Sequence, residues 1–411
     1  MNLQGALHIK HLERVKSVMN AKEANMSSKC VDKLQLRWEV NEESQLQENV
    51  EEILEVLQPQ TQQLQSLDVL GYTGSCFPLW MSSPSLKHLN TLQLVHCKSC
   101  LHLPHLGKLP SLKSLTISSM SLVKYIDEES CDNGVAGGFI RLEYLVLEKL
   151  PNLIALSRDD RESILPNLSK FQITECPELL GLPCLPSLID MCIRGKCNTD
   201  LLSSIHKQVT LESLMFQYNE ELTCFPDGML RNLISLKTFD IFWLCKLEQF
   251  PSEILNISTI QEIYITKCDN LKSLADEVLQ GLHTLKKLSI ELCSGIEGLH
   301  LALQHMTSLQ SLTLSYLPNL ASLPDWLGNL SLLQELCISQ CPKLTCLPTS
   351  IQCLTGLKSL EIYGCSELGE RCKENTGEDW PKIAHVQHIV IQNIGMFCGR
   401  GGRSYSVDWW V

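Results

Sequence analysis

Leucine and its substitutes recur along this chain in one cadence, clearest between Leu333 and Cys365. Leu333, Leu336 and Ile338 are followed by Cys341, Leu344 and Leu347-Pro348, then by Ile351 and Leu354. After that Leu357, Leu360, Ile362 and Cys365 start the same order again. Leu336 and Ile338 alternate with residues that face the other way, the period of a strand with one buried face. Beyond Cys341 the spacing lengthens to threes and fours, which suits a tight helical or irregular return. A unit of roughly two dozen residues cannot bury its apolar face alone, so it must stack on copies of itself.

The second strand position is filled in turn by Leu67, Leu92, Leu115, Leu145, Phe171, Met191, Leu214, Phe239, Ile263, Leu288, Leu312, Leu336, Leu360 and Ile389, which predicts a strand at each. The steps ending at Leu145, Met191 and Ile389 depart from the common length, so loops or shortened units are expected there. Upstream, Leu7-x-Ile9 and Leu34-x-Leu36-x-Trp38 read as two degenerate strands, with a helix-compatible stretch from Ala21 to Lys29 between them. Glu42 to Leu57 reads as an amphipathic helix, with Val50, Ile53, Leu54 and Leu57 on one face and Pro59 stopping it. The order L-x-x-L-x-L-x-x-N/C-x-L resembles the leucine-rich repeat. That resemblance implies an α/β repeat solenoid, a horseshoe with a parallel β-sheet on its concave face and irregular or short helical segments on the convex side. The expected divisions are degenerate repeats with the amphipathic helix over 1–60, the regular solenoid over 61–394, and a glycine-rich disordered tail over 395–411 that ends in Trp409 and Trp410. Asp127 to Phe139 reads as an insertion loop, and Glu370 to Lys382 as part of a C-terminal cap.

Charge and cysteine narrow the function. The formal net charge of -12, with no Lys/Arg run, speaks against a nucleic-acid backbone as partner. Twenty cysteines invite a zinc or disulfide reading, yet Cys97-x-x-Cys100 has no second pair at finger spacing. Cys97, Cys176, Cys268, Cys293, Cys341 and Cys365 share one repeat position, so they are expected to be buried structural thiols. The first residues lack the charged flank and apolar core of a signal peptide, and no stretch is apolar enough to span a bilayer. The expectation is a cytoplasmic protein with reduced thiols and no membrane contact. His88, His96, His102 and His105, and the acid pairs Asp159-Asp160 and Glu220-Glu221, form no recognisable catalytic arrangement. No catalytic, cofactor or metal site is therefore expected.

In a strand that buries alternate residues, the intervening positions face outward. Those positions present Met215, Tyr218, Asp240, Phe242, Trp243, Tyr264, Lys267, Tyr316 and Tyr363, with Glu291 and Glu361 among them. Tyr218, Trp243 and Tyr316 share one column. Aromatic residues free of a core role are what a protein-binding face uses, so the concave face around Met215 to Tyr264 is the candidate site.

Three blocks carry a narrower resemblance. The first runs from Glu48-Asn49-Val50 through Val56-Leu57-Gln58-Pro59 and Leu67-Asp68-Val69-Leu70-Gly71-Tyr72 to Phe77-Pro78-Leu79-Trp80-Met81. The second is Leu103-Pro104-His105-Leu106-Gly107-Lys108-Leu109-Pro110, and the third Gly377-Glu378-Asp379-Trp380-Pro381-Lys382-Ile383-Ala384-His385. Together they resemble the C-terminal repeat region of plant coiled-coil, nucleotide-binding, leucine-rich-repeat immune receptors. The resemblance implies recognition of a pathogen effector or a guarded host protein, or contact with the nucleotide-binding (NB-ARC) domain, by a module that is monomeric in isolation. The phosphate-cradling Gly-x-x-x-x-Gly-Lys-Ser/Thr string that a nucleotide switch needs does not occur in this sequence. An extracellular binding protein is the alternative, since Asn25, Asn167, Asn256 and Asn329 head glycosylation strings. An adaptor is another, although it would need an F-box-like helical region that the first 60 residues do not obviously supply.

Overall fold

The computed structural model describes residues 4–39, 49–127, 138–158, 164–272, 282–299 and 301–393. Part of the expected helix before Asn49, most of the loop after Asp127, the Asp159-Asp160 pair and the tail with Trp409 and Trp410 lie outside the described residues. Sixteen parallel strands follow the chain order. Every predicted second position lies in a five-residue strand, from Ser66–Leu70 to His388–Gln392, and the two degenerate strands are Gln4–Ile9 and Cys30–Arg37. The upstream helix spans Val18–Glu23, earlier than the expected Ala21 to Lys29, because Asn25 turns left-handed and only the 3-10 turn Met26–Ser28 follows. The described part of the amphipathic helix is Val50–Val56. A small parallel pair, Tyr125–Asp127 with Ala155–Ser157, was not foreseen from the repeat pattern.

The chain divides into two compact units, Met1–Leu211 with Pro226–Leu233, and Glu212–Phe225 with Ile234–Val411. In each, the apolar ladder sits in exact repeat register. Leu67 pairs with Leu92, Leu92 with Leu115, Leu115 with Leu145 and Leu145 with Phe171 in the first unit. In the second, Leu214 pairs with Phe239, Phe239 with Ile263, Ile263 with Leu288, and so on to Leu360 with Ile389. Consecutive parallel strands need a return segment, and in several repeats a short 3-10 turn forms part of it. Several are entered through proline, at Pro78, Pro251, Pro324 and Pro348. Proline sets φ for the turn and has no N–H to leave unsatisfied. This is the physical content of Phe77-Pro78, Phe250-Pro251, Leu323-Pro324 and Leu347-Pro348.

The strands from Ser66–Leu70 to Ser359–Tyr363 that carry the ladder end in one shared backbone device. The residue four positions after the second ladder residue takes a left-handed conformation: Gly71, His96, Ser119, Lys149, Glu175 and Gly195 in the first unit, then Tyr218, Trp243, Lys267, Leu292, Tyr316, Gln340 and Gly364 in the second. Most of these N–H groups donate to the strand of the following repeat, as from Gly71 to the Val95 carbonyl at 2.8 Å, from Trp243 to Thr266 at 2.8 Å and from Tyr316 to Ser339 at 2.8 Å. A left-handed residue with a Cβ costs roughly 1–2 kcal/mol, and the inter-repeat hydrogen bond offsets part of that. At Gly71 there is also no room, because a Cβ would stand 2.3 Å from the Trp38 carbonyl oxygen. Gly71→Ala is expected to lose about 2–3 kcal/mol by denaturant unfolding, whereas Lys149→Ala should stay within about 0.5 kcal/mol of the parent. Equal effects at the two positions would refute the close approach.

The cysteine position lies one residue further on. Cys97, Cys176, Cys268, Cys293, Cys341 and Cys365 are free thiols at 0–1% exposure. Each sulfhydryl points back at the carbonyl two residues earlier, with Cys293 on Glu291 at 3.2 Å and Cys341 on Ser339 at 3.3 Å. Across repeats, the N–H of Cys341 donates to Sγ of Cys365 at 3.2 Å, and that of Cys268 to Sγ of Cys293 at 3.4 Å. Burial pushes the Cys97 thiol up to about 12 and Cys176 up to about 11, so these two sulfurs hold their protons and act as small packed donors.

The last repeats carry the helices Ser366–Arg371 and Trp380–Ile383. Among the described residues no helix is long and apolar enough to cross a membrane.

Candidate recognition surface

The outward positions of the second unit fall into rows set by strand register. One row runs Met215, Asp240, Tyr264, Ser289; the next runs Gln217, Phe242, Thr266, Glu291; and the left-handed column carries Tyr218, Trp243, Lys267 and Tyr316. Tyr218, Phe242 and Trp243 meet as a three-ring cluster. The Tyr218 centroid lies 5.2 Å from Phe242 in an edge-on arrangement and 5.9 Å from Trp243, and Phe242 lies 5.8 Å from Trp243. The backbone assembles them, since the Tyr218 N–H donates to the Phe242 carbonyl at 2.9 Å. Tyr218 is 44% exposed and Trp243 38%, both high for rings of this size. The left-handed backbone of these two residues would be satisfied at least cost by glycine. Their aromatic side chains therefore have no backbone reason to be there.

Not every predicted residue is presented to solvent. Asp240 and Tyr264 are buried, at 3% and 7% exposure, against the expectation from alternation. Asp240 stands in register between the longer Met215 and Tyr264. Tyr264 donates its hydroxyl to Glu262 Oε2 at 2.9 Å. Met215, Tyr316 and Tyr363 are half-buried, the two tyrosines on later repeats. Lys267 is held in an ion pair with Asp269 at 2.8 Å. That carboxylate keeps the ammonium above its ordinary value, and Ser294 Oγ also donates to Asp269 at 2.8 Å.

Sequence reasoning missed Glu262 and Glu335, each one residue before its second ladder leucine or isoleucine. That position also faces outward by alternation, which was the available signal. These two carboxylates join Glu291 and Glu361 in lining a depression of about 570 Å³ across the strands of the second unit. Burial pushes the Glu291 carboxyl up, with partial relief from the Ser289 hydroxyl at 2.7 Å. The whole surface offers rings, carboxylates and hydroxyls on a rigid sheet, an arrangement suited to holding another chain.

Comparison with known proteins agrees with this architecture. Residues 1–120 match the family model described as R13L1/DRL21 LRRs. The chain is 33% identical over 263 residues to disease resistance protein RGA2 of Solanum bulbocastanum, covering 62% of this chain and 24% of that protein. It is 30% identical over 320 residues to disease resistance RPP13-like protein 1 of Arabidopsis thaliana, covering 72% of this chain and 28% of the relative. The chain thus spans about a quarter of the length of these relatives. Among solved structures, a leucine-rich-repeat protein of Leptospira interrogans superposes with TM-score 0.52 at 20% identity, covering 93% of this chain and 100% of that one, a likeness of fold.

Proposed function

From the premise that the chain is a leucine-rich-repeat array similar to those of plant disease resistance proteins, we propose that it is a protein-recognition module of plant intracellular immunity. It works in the cytoplasm and binds through the sheet face of its second unit. Its partner is a pathogen effector, a host protein under guard, or a nucleotide-binding domain of the kind that accompanies such repeats. The observation that carries this reading is the Tyr218–Phe242–Trp243 cluster. Tyr218 and Trp243 are exposed and Phe242 is half-buried. Rings already packed against one another lose little side-chain freedom on binding, and aromatic residues dominate interface energetics. The extracellular alternative draws less support. The side-chain amide of Asn167, head of one glycosylation string, already donates to the Ile140 carbonyl at 2.7 Å.

The test is affinity capture from plant extract with the parent chain and with Phe242→Ala combined with Trp243→Ala. A paired loss of central rings should weaken the specific partner by roughly 30-fold or more, the range of interface hot spots. Identical captured sets from parent and variant would remove this surface from contention.

A further inference from the structure

The depression beside the aromatic cluster has a charge character of its own. Four carboxylates line it, from Glu262, Glu291, Glu335 and Glu361, against the ammonium groups of Lys286 and Lys287. No ion pair engages any of the four among the described residues. Glu262 and Glu291 accept only from the hydroxyls of Tyr264 and Ser289. Lys286 donates to the Gln261 side chain at 3.1 Å. Elsewhere on the same unit, charges of opposite sign are joined: Lys237 with Glu212 at 2.7 Å and Lys267 with Asp269 at 2.8 Å. On the open face the four carboxylates outnumber the two ammonium groups, with Lys287 in register beside Glu262. In register with Glu291, Ser315 is 1% exposed and leaves its hydroxyl oxygen without a hydrogen-bond partner.

We infer that this face takes a lysine- or arginine-bearing segment of a protein partner, laid across the strands, with the Tyr218–Phe242–Trp243 cluster as the apolar anchor at one end. The proposal rests on the recognition function above and adds the chemistry of the partner. Three considerations support it. Unpaired carboxylates over a sheet are complementary to cationic side chains, and such complementarity chooses the partner and speeds encounter. From the strand of Glu262 to the strand of His388 there are five inter-strand steps of about 4.8 Å, the reach of roughly seven extended residues. Finally, a cationic side chain can lie over the rings as well as between the carboxylates, so one type of residue satisfies both parts of the surface.

The test uses the full chain and two fluorescein-labelled peptides of about ten residues, one alternating lysine with serine around a central leucine, the other with glutamate in place of lysine. Fluorescence anisotropy is read at about 50 mM and about 150 mM salt. The lysine peptide is expected to bind roughly tenfold or more tightly than the glutamate peptide, and to weaken as salt rises. Glu335→Gln with Glu361→Gln should remove most of that preference while the circular dichroism and unfolding midpoint stay at the parent's values. Equal binding of the two peptides, binding of neither, or an unchanged preference in the glutamine variant would overturn the basic-partner proposal. The recognition function is judged separately by the ring variant in affinity capture. If that variant loses its partner while the glutamine variant does not, the face recognises protein and the partner's basic character is wrong.

Discussion

Replacing Phe239 by alanine is expected to cost the protein roughly 3–5 kcal/mol, seen as a drop in the denaturant midpoint at unchanged slope. Phe239 is fully buried on the inward side of the strand Thr238–Phe242. Its ring stands 6.1 Å from Phe216, 6.2 Å from Phe225 and 5.9 Å from Phe250, each near edge-on. Removing it deletes a large apolar surface, breaks three ring contacts and leaves a cavity that a stacked array closes poorly, because neighbours on both sides are held by ladder hydrogen bonds. Phe239→Leu should lose distinctly less. A loss for the alanine variant below about 1 kcal/mol would show that the four rings are not a packed core. The half-buried Phe242 lies on the other face of the same five residues, so the core rings also set the platform on which the aromatic cluster stands.

The second large effect is expected at Asp379, whose side chain is almost wholly buried. One oxygen accepts from Arg371 Nη2 at 3.1 Å and lies 2.8 Å from Lys382 Nζ; the other accepts the Leu347 N–H at 2.9 Å. Lys382 continues to the Leu347 carbonyl at 2.7 Å, and His385 Nε2 donates to the Leu354 carbonyl at 3.1 Å. The terminal helix is thus tied to the turn of the preceding repeat through one carboxylate. Asp379→Ala strands the Leu347 amide and leaves the cations to find water. The amide alone costs about 1–3 kcal/mol, and removal of one partner of a buried pair up to about 3–5 kcal/mol. Since both cations reach solvent, a loss near 3 kcal/mol is expected.

The same group gives a pH signature. Burial by itself would raise the Asp379 pKa, but the hydrogen bonds from Arg371, Lys382 and Leu347 outweigh it and hold the group below its ordinary carboxylate value. A depressed folded pKa contributes stability that is present above the unfolded value near 4 and is lost as pH falls through the folded one. The parent should therefore lose stability on acidification more steeply than Asp379→Asn, with the two curves converging at low pH. Parallel curves would mean that the carboxylate is not charged and paired in the folded state.

The ladder was legible from the chain because burial repeats: each leucine at a second position meets another in register, and the period survives substitution by Phe171, Met191 or Ile263. The left-handed column was not legible. Only Gly71, Gly195 and Gly364 announce such a conformation by residue type, while Trp243 or Leu292 adopt it because the next strand offers a carbonyl. Alternation identified which residues leave the core, but not how high they stand. Asp240 lies in register between the longer Met215 and Tyr264, a relation between repeats, whereas Tyr264 is bound to Glu262 on its own strand. The Asp379 cluster shows only as a polar segment in sequence, since its partners come from Leu347 and Arg371 on separate elements.

The buried thiols have a practical consequence. Six of them stand at one repeat position, Cys97 and Cys176 in the first unit and Cys268, Cys293, Cys341 and Cys365 in the second. Each is shielded while its repeat is stacked and open to an alkylating reagent once that repeat frays. Timed alkylation with peptide mapping would therefore act as a ruler along the array, separating an all-at-once opening from one that begins at an end or at one unit. The native protein carries this set of probes without any introduced label.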